Sequence, residues 1–146
     1  MLGQCPEADD VGQETFIHFY KSLSNFRGDS SAATYLTRIA INLSLNEIKR
    51  RKRRMLFFVK STDDVKNLSA EMTLDDNEMK NLVQRAIQKL EPKFRSVIVL
   101  RLMEGYSTKE TAKILKLPEG TVLSRLARAQ QKLKKILEPV LGDNYE

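Results

Sequence analysis

The feature of this chain that most limits its fold is the spacing of its apolar residues, which follows the helical repeat along two long stretches. Apolar side chains at intervals of three and four residues form one stripe on a helix, and that stripe is buried against a neighbour. Only 6 glycines and 4 prolines interrupt the 146 residues. The sequence therefore predicts an all-α protein of two small helical domains, joined by a flexible linker.

Two helices are predicted in the first domain. The first helix carries Phe16, Tyr20 and Leu23 on one face. Loop-forming residues at 25–30 interrupt the pattern, and Ser30 is placed to cap the following helix. The stripe of that second helix consists of Leu36, Ile39, Ala40 and Leu43, which are predicted to be buried.

A run of basic charge ends the first domain. Residues 49–54 read KRRKRR, six consecutive basic residues, and an acidic segment with little periodicity follows them. Segment 55–79 is therefore predicted to be a linker between domains 1–54 and 80–146. The beginning of this linker, residues 55–59, is nevertheless apolar enough to dock against another surface.

The second domain is predicted to begin with two helices, which meet near Pro92. Gly105 closes the second of them, because glycine readily ends a helix. The apolar stripe of this second helix consists of Phe94, Val97, Ile98 and Leu102.

A helix-turn-helix is predicted next. Ser107 and Glu110 have the spacing of a capping box, which begins a short helix. Small Ala112 allows close helix packing, and residues 116–120 form a turn that Leu117 fills. The long helix after the turn has Val122, Leu126, Ala129 and Leu133 on its inner side.

The charge balance indicates a polyanionic partner. The formal net charge is +6 and the pI is about 9.5, which favours nucleic acid or an acidic membrane surface. No apolar run approaches the roughly 20 residues that span a bilayer, so membrane insertion is not expected. The polar, acidic N-terminus does not resemble a signal peptide.

Few residues suit catalysis or metal binding. Cys5 is the single cysteine and His18 the single histidine, so a Cys/His metal cluster and a His-based triad both lack their parts. Carboxylates are scattered along polar helix faces and are interpreted as solvated charge. We expect no catalytic residue, no metal and no cofactor, and one unpaired cysteine suits the reducing cytoplasm.

Duplex DNA is the partner that the last helix favours. Its outer face carries hydroxyl and basic side chains, and arginine can donate to both O6 and N7 of guanine. An ordinary helical hairpin with a solvated face is the alternative interpretation. The candidate DNA-binding residues are Thr121, Ser124, Arg125, Arg128 and Lys132.

Four motifs resemble a known family. Residues 13–16 (QETF), 26–30 (FRGDS) and 38–42 (RIAIN) are similar to region two of the extracytoplasmic-function sigma factors of RNA polymerase. Residues 118–129 (PEGTVLSRLARA) resemble region four of the same family, and the motifs occur in the family's order. The resemblance implies a subunit that directs polymerase to promoters.

This resemblance implies three binding surfaces. Asp10, Gln13 and Glu14 would bind core polymerase through its β′ clamp helices. The region-four helix-turn-helix would bind the minus-thirty-five element as duplex. The melted minus-ten element would contact Phe26, Ser30, Ser31, Asn42, Asn46, Arg50 and Arg51. Further implied partners are the β flap of polymerase and an anti-sigma factor.

The start of region two is expected to be missing. Family members carry additional helices before the QETF motif, whereas about a dozen residues precede it here. A misassigned start, a truncation or a degenerate domain would each leave Phe16, Leu36 and Ile39 without partners, as an exposed apolar patch. A free-standing helix-turn-helix regulator and an inactive remnant that titrates an anti-sigma factor are the alternative functions.

Overall fold

All regular secondary structure in the described part of the chain is helical, which confirms the all-α prediction. The computed structural model describes residues 1–28, 30–58 and 76–142, and these ranges contain no strand. The predicted linker falls mainly on residues 59–75, which lie outside the described residues. The helices are α1 (Pro6–Ser22), α2 (Ala32–Phe58), α3 (Asp76–Lys89), α4 (Pro92–Ile98), α5 (Thr108–Leu115) and α6 (Glu119–Leu141), with a 3₁₀ turn at Leu23–Asn25 and a π-helical segment at Val99–Met103.

Helix α1 packs on α2 through only one of its two apolar faces. Val11 and Thr15 are buried, and the Thr15 hydroxyl donates to the Val11 carbonyl, so it leaves no unpaired polar group in the contact. The face predicted from Phe16, Tyr20 and Leu23 lies in solvent, with Phe16 65% exposed. Phe16 is exposed, whereas Leu36 and Ile39, which were expected to share an exposed apolar patch with it, are half-buried.

The buried side of α2 differs from the predicted stripe. Ile41, Ser44 and Glu47 are its buried residues, whereas the residues of the predicted stripe are only half-buried. The predicted cap is also one residue early. Helix α2 begins at residue 32, and the oxygen that accepts the Thr34 N–H is Ser31 Oγ, at 3.1 Å. Ser31 therefore caps α2, in place of Ser30.

The second domain holds the larger core. Val97, Leu100 and Val122 are fully buried where α4, the π-helical segment and α6 meet. One prediction here was wrong: Leu102 is 53% exposed rather than buried. The N–H of Glu104 donates to the carbonyl of Val99, five residues back, and this wider turn rotates the following side chains away from the α-helical stripe.

A buried cation holds the start of this core. The side chain of Arg95 donates to the carbonyls of Gln88 and Leu90, which the end of α3 leaves unpaired. Burial lowers the pKa of the Arg95 guanidinium. The N-terminal residues join this cluster, because Arg95 also donates to the Met1 carbonyl at 2.9 Å. Arg95 thus fastens the turn between α3 and α4 from inside.

The two domains pack directly against each other. Ile41 of α2 lies in one apolar cluster with Leu100 and Ile114 of the second domain. Beside this cluster, the hydroxyl oxygens of Thr37 and Tyr106 are 2.8 Å apart. The two domains are therefore packed together, with α2 lying against the π-helical segment and α5.

Candidate nucleic-acid interface

The helix-turn-helix is built by local interactions that the sequence indicates. Ser107 Oγ accepts the Glu110 N–H at 3.1 Å, and Glu110 Oε2 accepts the Ser107 N–H at 2.8 Å, so the predicted capping box is present. The turn is tighter than predicted. Lys116, rather than a glycine, takes the left-handed conformation with φ 55°, and α6 begins at Glu119. The N–H of Leu117 closes the turn onto the Ala112 carbonyl at 2.9 Å.

Helix α6 is fixed by its inner side and presents a polar outer side. Val122 and Ala129 are fully buried against the rest of the domain. Ser124 and Arg128 are exposed on the opposite side. Among the described residues, no ion pair holds Arg128, so its guanidinium remains available to a ligand. Thr121 and Arg125 are half-buried and flank this outer side.

Lys132 is the member of the predicted set that has an internal partner. Its Nζ lies 3.3 Å from Glu91 Oε1 and 5.3 Å from the centre of the Phe94 ring. Hydrogen bonds from Lys93 and Lys132 lower the pKa of Glu91. These contacts turn Lys132 toward the start of α4 and away from Ser124, which weakens its case as a DNA ligand.

Exposed polar residues form a second surface along α2. Asn42, Asn46 and Arg50 follow one another at intervals of four residues, so each is displaced by only about 40° around the helix. All three are exposed, and no side-chain hydrogen bond of either asparagine occurs within the described ranges. The amides can therefore donate to and accept from an external ligand. We call these three residues the α2 stripe.

A buried carboxylate organises the basic run at the end of α2. The side chain of Glu47 is only 8% exposed and lies 2.8 Å from Arg50, 3.5 Å from Arg51 and 3.3 Å from Arg54. Arg51 also lies 3.2 Å from Glu7 on α1. The sequence analysis missed this cluster, although glutamate followed by arginine three, four and seven residues later is a recognisable signal.

Arg51 is the most enclosed arginine of the run. Besides its two carboxylate partners, it donates to Cys5 Sγ at 2.9 Å. This hydrogen bond, followed by the nearby charges of Glu7 and Glu47, raises the pKa of Arg51. Arg51 therefore joins α1 to α2, which leaves it a weaker candidate for DNA phosphates than Arg50.

The loop before α2 has an aromatic anchor. The Phe26 ring is half-buried, with its centre 5.3 Å from that of Tyr35 and 6.5 Å from that of Phe19. Ser31 is engaged in capping α2, while Ser30 is half-buried. Phe26 and Ser31 thus shape the loop, and their direct contact with DNA stays a prediction.

The predicted polymerase-binding residues share one exposed region of α1. Asp10, Gln13 and Glu14 all face solvent, and Glu14 lies 3.5 Å from His18, one turn later. The exposed Phe16 ring adjoins them on the same helix. Exposed polar side chains and an exposed ring on α1 are thus both open to contact with another protein.

Neither a metal-binding cluster nor a membrane-spanning helix occurs among the described residues. Among the described residues, no group of three or more His, Cys, Asp or Glu side chains could hold a metal ion. No described helix is long and apolar enough to cross a bilayer.

Comparison with protein-family models shows which family the chain belongs to. A family model described as Sigma-70 region 2 matches residues 1–54, and one described as Sigma-70, region 4 matches residues 80–133. The chain belongs to the sigma-70 family. The two matches place α1 and α2 in region two and the helix-turn-helix in region four of a sigma factor.

Relatives of this sigma factor place it in the extracytoplasmic-function group. The RNA polymerase sigma-H factor of Pseudomonas aeruginosa is 37% identical over 94% of this chain and 76% of its own length. The ECF RNA polymerase sigma factor SigW of Bacillus subtilis is 35% identical over 94% of this chain and 79% of its own. The ECF RNA polymerase sigma-E factor of Escherichia coli K12 is 33% identical over 92% of this chain and 76% of its own length.

A solved structure supports the fold of the sigma factor. In a co-crystal from Bartonella quintana, the sigma factor RpoE is bound to the anti-sigma factor NepR. The matched chain is 23% identical, with a TM-score of 0.68 over 88% of this chain and 79% of that one. The likeness extends over both helical domains.

Proposed function

We propose that this sigma factor binds core RNA polymerase and directs it to promoters, with α6 on the minus-thirty-five element and the α2 stripe on the minus-ten element. The observation that carries the proposal is the outer side of α6. Val122 and Ala129 hold the helix in place, while Ser124 and Arg128 project from the domain. A helix presented in this way fits the major groove of duplex DNA.

The chemistry of α6 supports reading of bases by arginine. Arg125 and Arg128 can each donate two parallel hydrogen bonds to O6 and N7 of guanine. Thr121 and Ser124 lie in the first two turns, and their hydroxyls suit backbone phosphates. Because Lys132 is held by Glu91, we assign it a supporting electrostatic role.

The α2 stripe is suited to unpaired DNA. Asparagine amides can bind base edges, and those edges become accessible once the strands separate. Arg50 lies one turn beyond Asn46, where it can hold the phosphates of the same strand. Phe26, Ser30, Ser31 and Arg51 complete the proposed minus-ten surface, chiefly by shaping the loop and joining α1 to α2.

Polymerase binding is assigned to the exposed surface of α1. Asp10, Gln13 and Glu14 would contact the β′ clamp helices, and the adjoining Phe16 would add apolar contact. The second domain would reach the β flap. We further propose that the protein is not itself an enzyme and works in the cytoplasm, where polymerase acts.

An anti-sigma factor is proposed as a regulatory partner. The two domains are packed together, and a factor that binds both of them would hold them in this arrangement. Such binding would keep α6 and the α2 stripe from reaching their separate DNA elements.

Run-off transcription tests the proposal. Purified chain and core polymerase are incubated with fragmented DNA from the source organism, next to a sigma factor that is known to be active. Discrete transcripts are expected, and Arg128→Ala or Asn42→Ala should reduce them. Absence of transcripts with the parent chain, while the control sigma factor is active, would contradict the proposal. Sequence-specific duplex binding without transcription would favour a free-standing regulator.

A further inference from the structure

The end of α2 exposes four consecutive apolar residues. Met55 is 64% exposed, Leu56 70%, Phe57 87% and Phe58 75%. They directly follow the six basic residues at 49–54. A contiguous exposed apolar patch of this kind can mark an interaction site. These four residues lie beyond 1–54, the range that the Sigma-70 region 2 model matches.

Phe57 continues the α2 stripe. It lies eleven residues after Asn46 and seven after Arg50, spacings that return to nearly the same side of a helix. The rise of about 1.5 Å per residue places Phe57 about 16 Å beyond Asn46 along the helix axis. Arg54 lies between them and is held by Glu47 at 3.3 Å. Amides, cations and a ring are therefore aligned along one exposed line.

We propose that Phe57 is a stacking site for an unpaired base of the melted promoter strand. Single-stranded nucleic acids bind where basic side chains hold the phosphates and aromatic rings stack on the bases, and α2 carries both. Arg50 and Arg54, which lie seven and three residues before Phe57, both pair with Glu47. The inference rests on the proposed function, because it extends the minus-ten surface beyond the residues assigned above.

An anionic membrane is the other polyanion that a basic, aromatic segment can bind. Membrane-bound helices place their apolar residues on one side, so that this side enters the lipid. Residues 55–58 are consecutive, and steps of about 100° distribute their side chains around the whole helix. Only Phe57 is aligned with the asparagines, whose amides suit bases rather than acyl chains. The arrangement therefore favours a DNA strand.

Fluorescence provides a direct test, because the chain contains no tryptophan. Phe57→Trp introduces one tryptophan at the proposed site, which can be excited selectively over the 4 tyrosines, and stacking on a base should quench it. Tyr20→Trp is the matched control, since Tyr20 is comparably open at 77% but lies on α1. Each variant of the full chain is titrated with a single-stranded oligonucleotide of mixed sequence and with the same backbone made abasic.

Quenching of Phe57→Trp by the oligonucleotide, but not by the abasic strand, is the expected result, and Tyr20→Trp should respond to neither. Phe57→Ala should bind the oligonucleotide roughly fivefold or more weakly than the parent, the range of one lost base stack. Phe57→Leu, which stays apolar but loses the ring, should show a similar loss. Circular dichroism of the two variants checks that α2 remains helical.

Three outcomes would overturn the inference. One is absence of quenching together with parental affinity in Phe57→Ala, and another is equal quenching by the abasic strand. The third is a response of Phe57→Trp to vesicles of phosphatidylglycerol but not to DNA, which would assign the segment to lipid. Run-off transcription and minus-thirty-five duplex binding are measured separately, so base-dependent quenching without transcripts would contradict the proposed function and retain the stacking site.

Discussion

Thr37 and Tyr106 lie 69 residues apart in the sequence, yet their hydroxyl oxygens share a hydrogen bond at 2.8 Å. Thr37 precedes the α2 stripe by about one turn, and Tyr106 directly precedes the capping box of the helix-turn-helix. The minus-ten and minus-thirty-five elements are roughly 25 base pairs apart, or about 85 Å at about 3.4 Å per base pair. If α6 and the α2 stripe bind these elements as proposed, two domains packed through Ile41, Leu100 and Ile114 could not reach both, so we expect the packed arrangement to open on a promoter.

Loss of this hydrogen bond should therefore favour the open state. Tyr106→Phe removes one hydroxyl and retains the ring, at an expected cost to the packed arrangement of about 1 kcal/mol. The balance between packed and open forms would shift about fivefold. When the sigma factor is limiting, transcription should rise by up to about fivefold. Multiple-round run-off assays over a range of sigma-factor concentrations measure this rise.

Tyr20→Phe is the matched control, because the Tyr20 hydroxyl is on α1, where the side chain is 77% exposed. It should leave the concentration dependence of transcription unchanged. Equal transcription by Tyr106→Phe and the parent would mean that domain opening does not limit promoter engagement.

Arg128→Ala should weaken binding to minus-thirty-five duplex. Removal of a bidentate contact to guanine costs about 1–3 kcal/mol of binding free energy. The affinity should therefore decrease for the cognate duplex and not for a duplex of unrelated sequence. Lys134→Ala is a suitable control on the same helix, because Lys134 lies 3.9 Å from Glu138 and is 76% exposed. Fluorescence anisotropy with cognate and scrambled duplexes measures both variants. A uniform loss across sequences would instead assign Arg128 to phosphates.

Sequence reasoning works well where the structure is local. The capping box at Ser107 and Glu110 depends on two residues three apart, and the buried side of α6 follows a regular repeat. Both could be predicted because the interactions lie within one or two turns of helix. The exposed positions of Ser124 and Arg128 follow from the same repeat, so this part of the candidate site was also predictable.

Longer-range packing limits prediction elsewhere. The burial of Ile41 depends on its contact with Leu100 and Ile114, which only the fold brings near. Leu102 was misplaced because one π-helical segment changes the repeat that the prediction assumed to be constant. Lys132 has the right spacing for the groove, but Glu91 from another helix engages it. Each difference arises from a contact or turn that a single helical repeat does not encode.

Glu47→Gln should increase sequence-independent DNA binding. The change removes the negative charge that pairs with Arg50 and Arg54, and this loss raises the local net charge by one. The slope of log affinity against log salt should steepen by up to about 0.9, the value of one further phosphate contact. Asp9→Asn makes the same charge change on the exposed side of α1 and should leave the slope unchanged. A parental slope in Glu47→Gln, with α2 still helical, would show that Glu47 does not restrain the arginines.

The capping box should make the helix-turn-helix sensitive to acid. The backbone N–H of Ser107, followed by its side chain, lowers the pKa of Glu110 from its ordinary value of 4.5. Since the pKa is lower in the folded state, the ionised carboxylate stabilises the fold above about pH 4.5, and this contribution is lost as the pH falls through the folded value. Glu110→Gln should lower the melting temperature at about pH 7, and the difference from the parent should shrink at about pH 3.

Ser107→Ala separates the two halves of the capping box. It removes the hydroxyl that accepts the Glu110 N–H but retains the backbone N–H that donates to the carboxylate. It should therefore cost about 1 kcal/mol at neutral pH, the usual value of a lost N-cap. Much of the acid sensitivity should remain, because the first cause of the lowered Glu110 pKa is the backbone hydrogen bond. Thermal melts of both variants at the two pH values measure these effects. If the melting difference for Glu110→Gln were the same at both, Glu110 would contribute no acid-dependent stability.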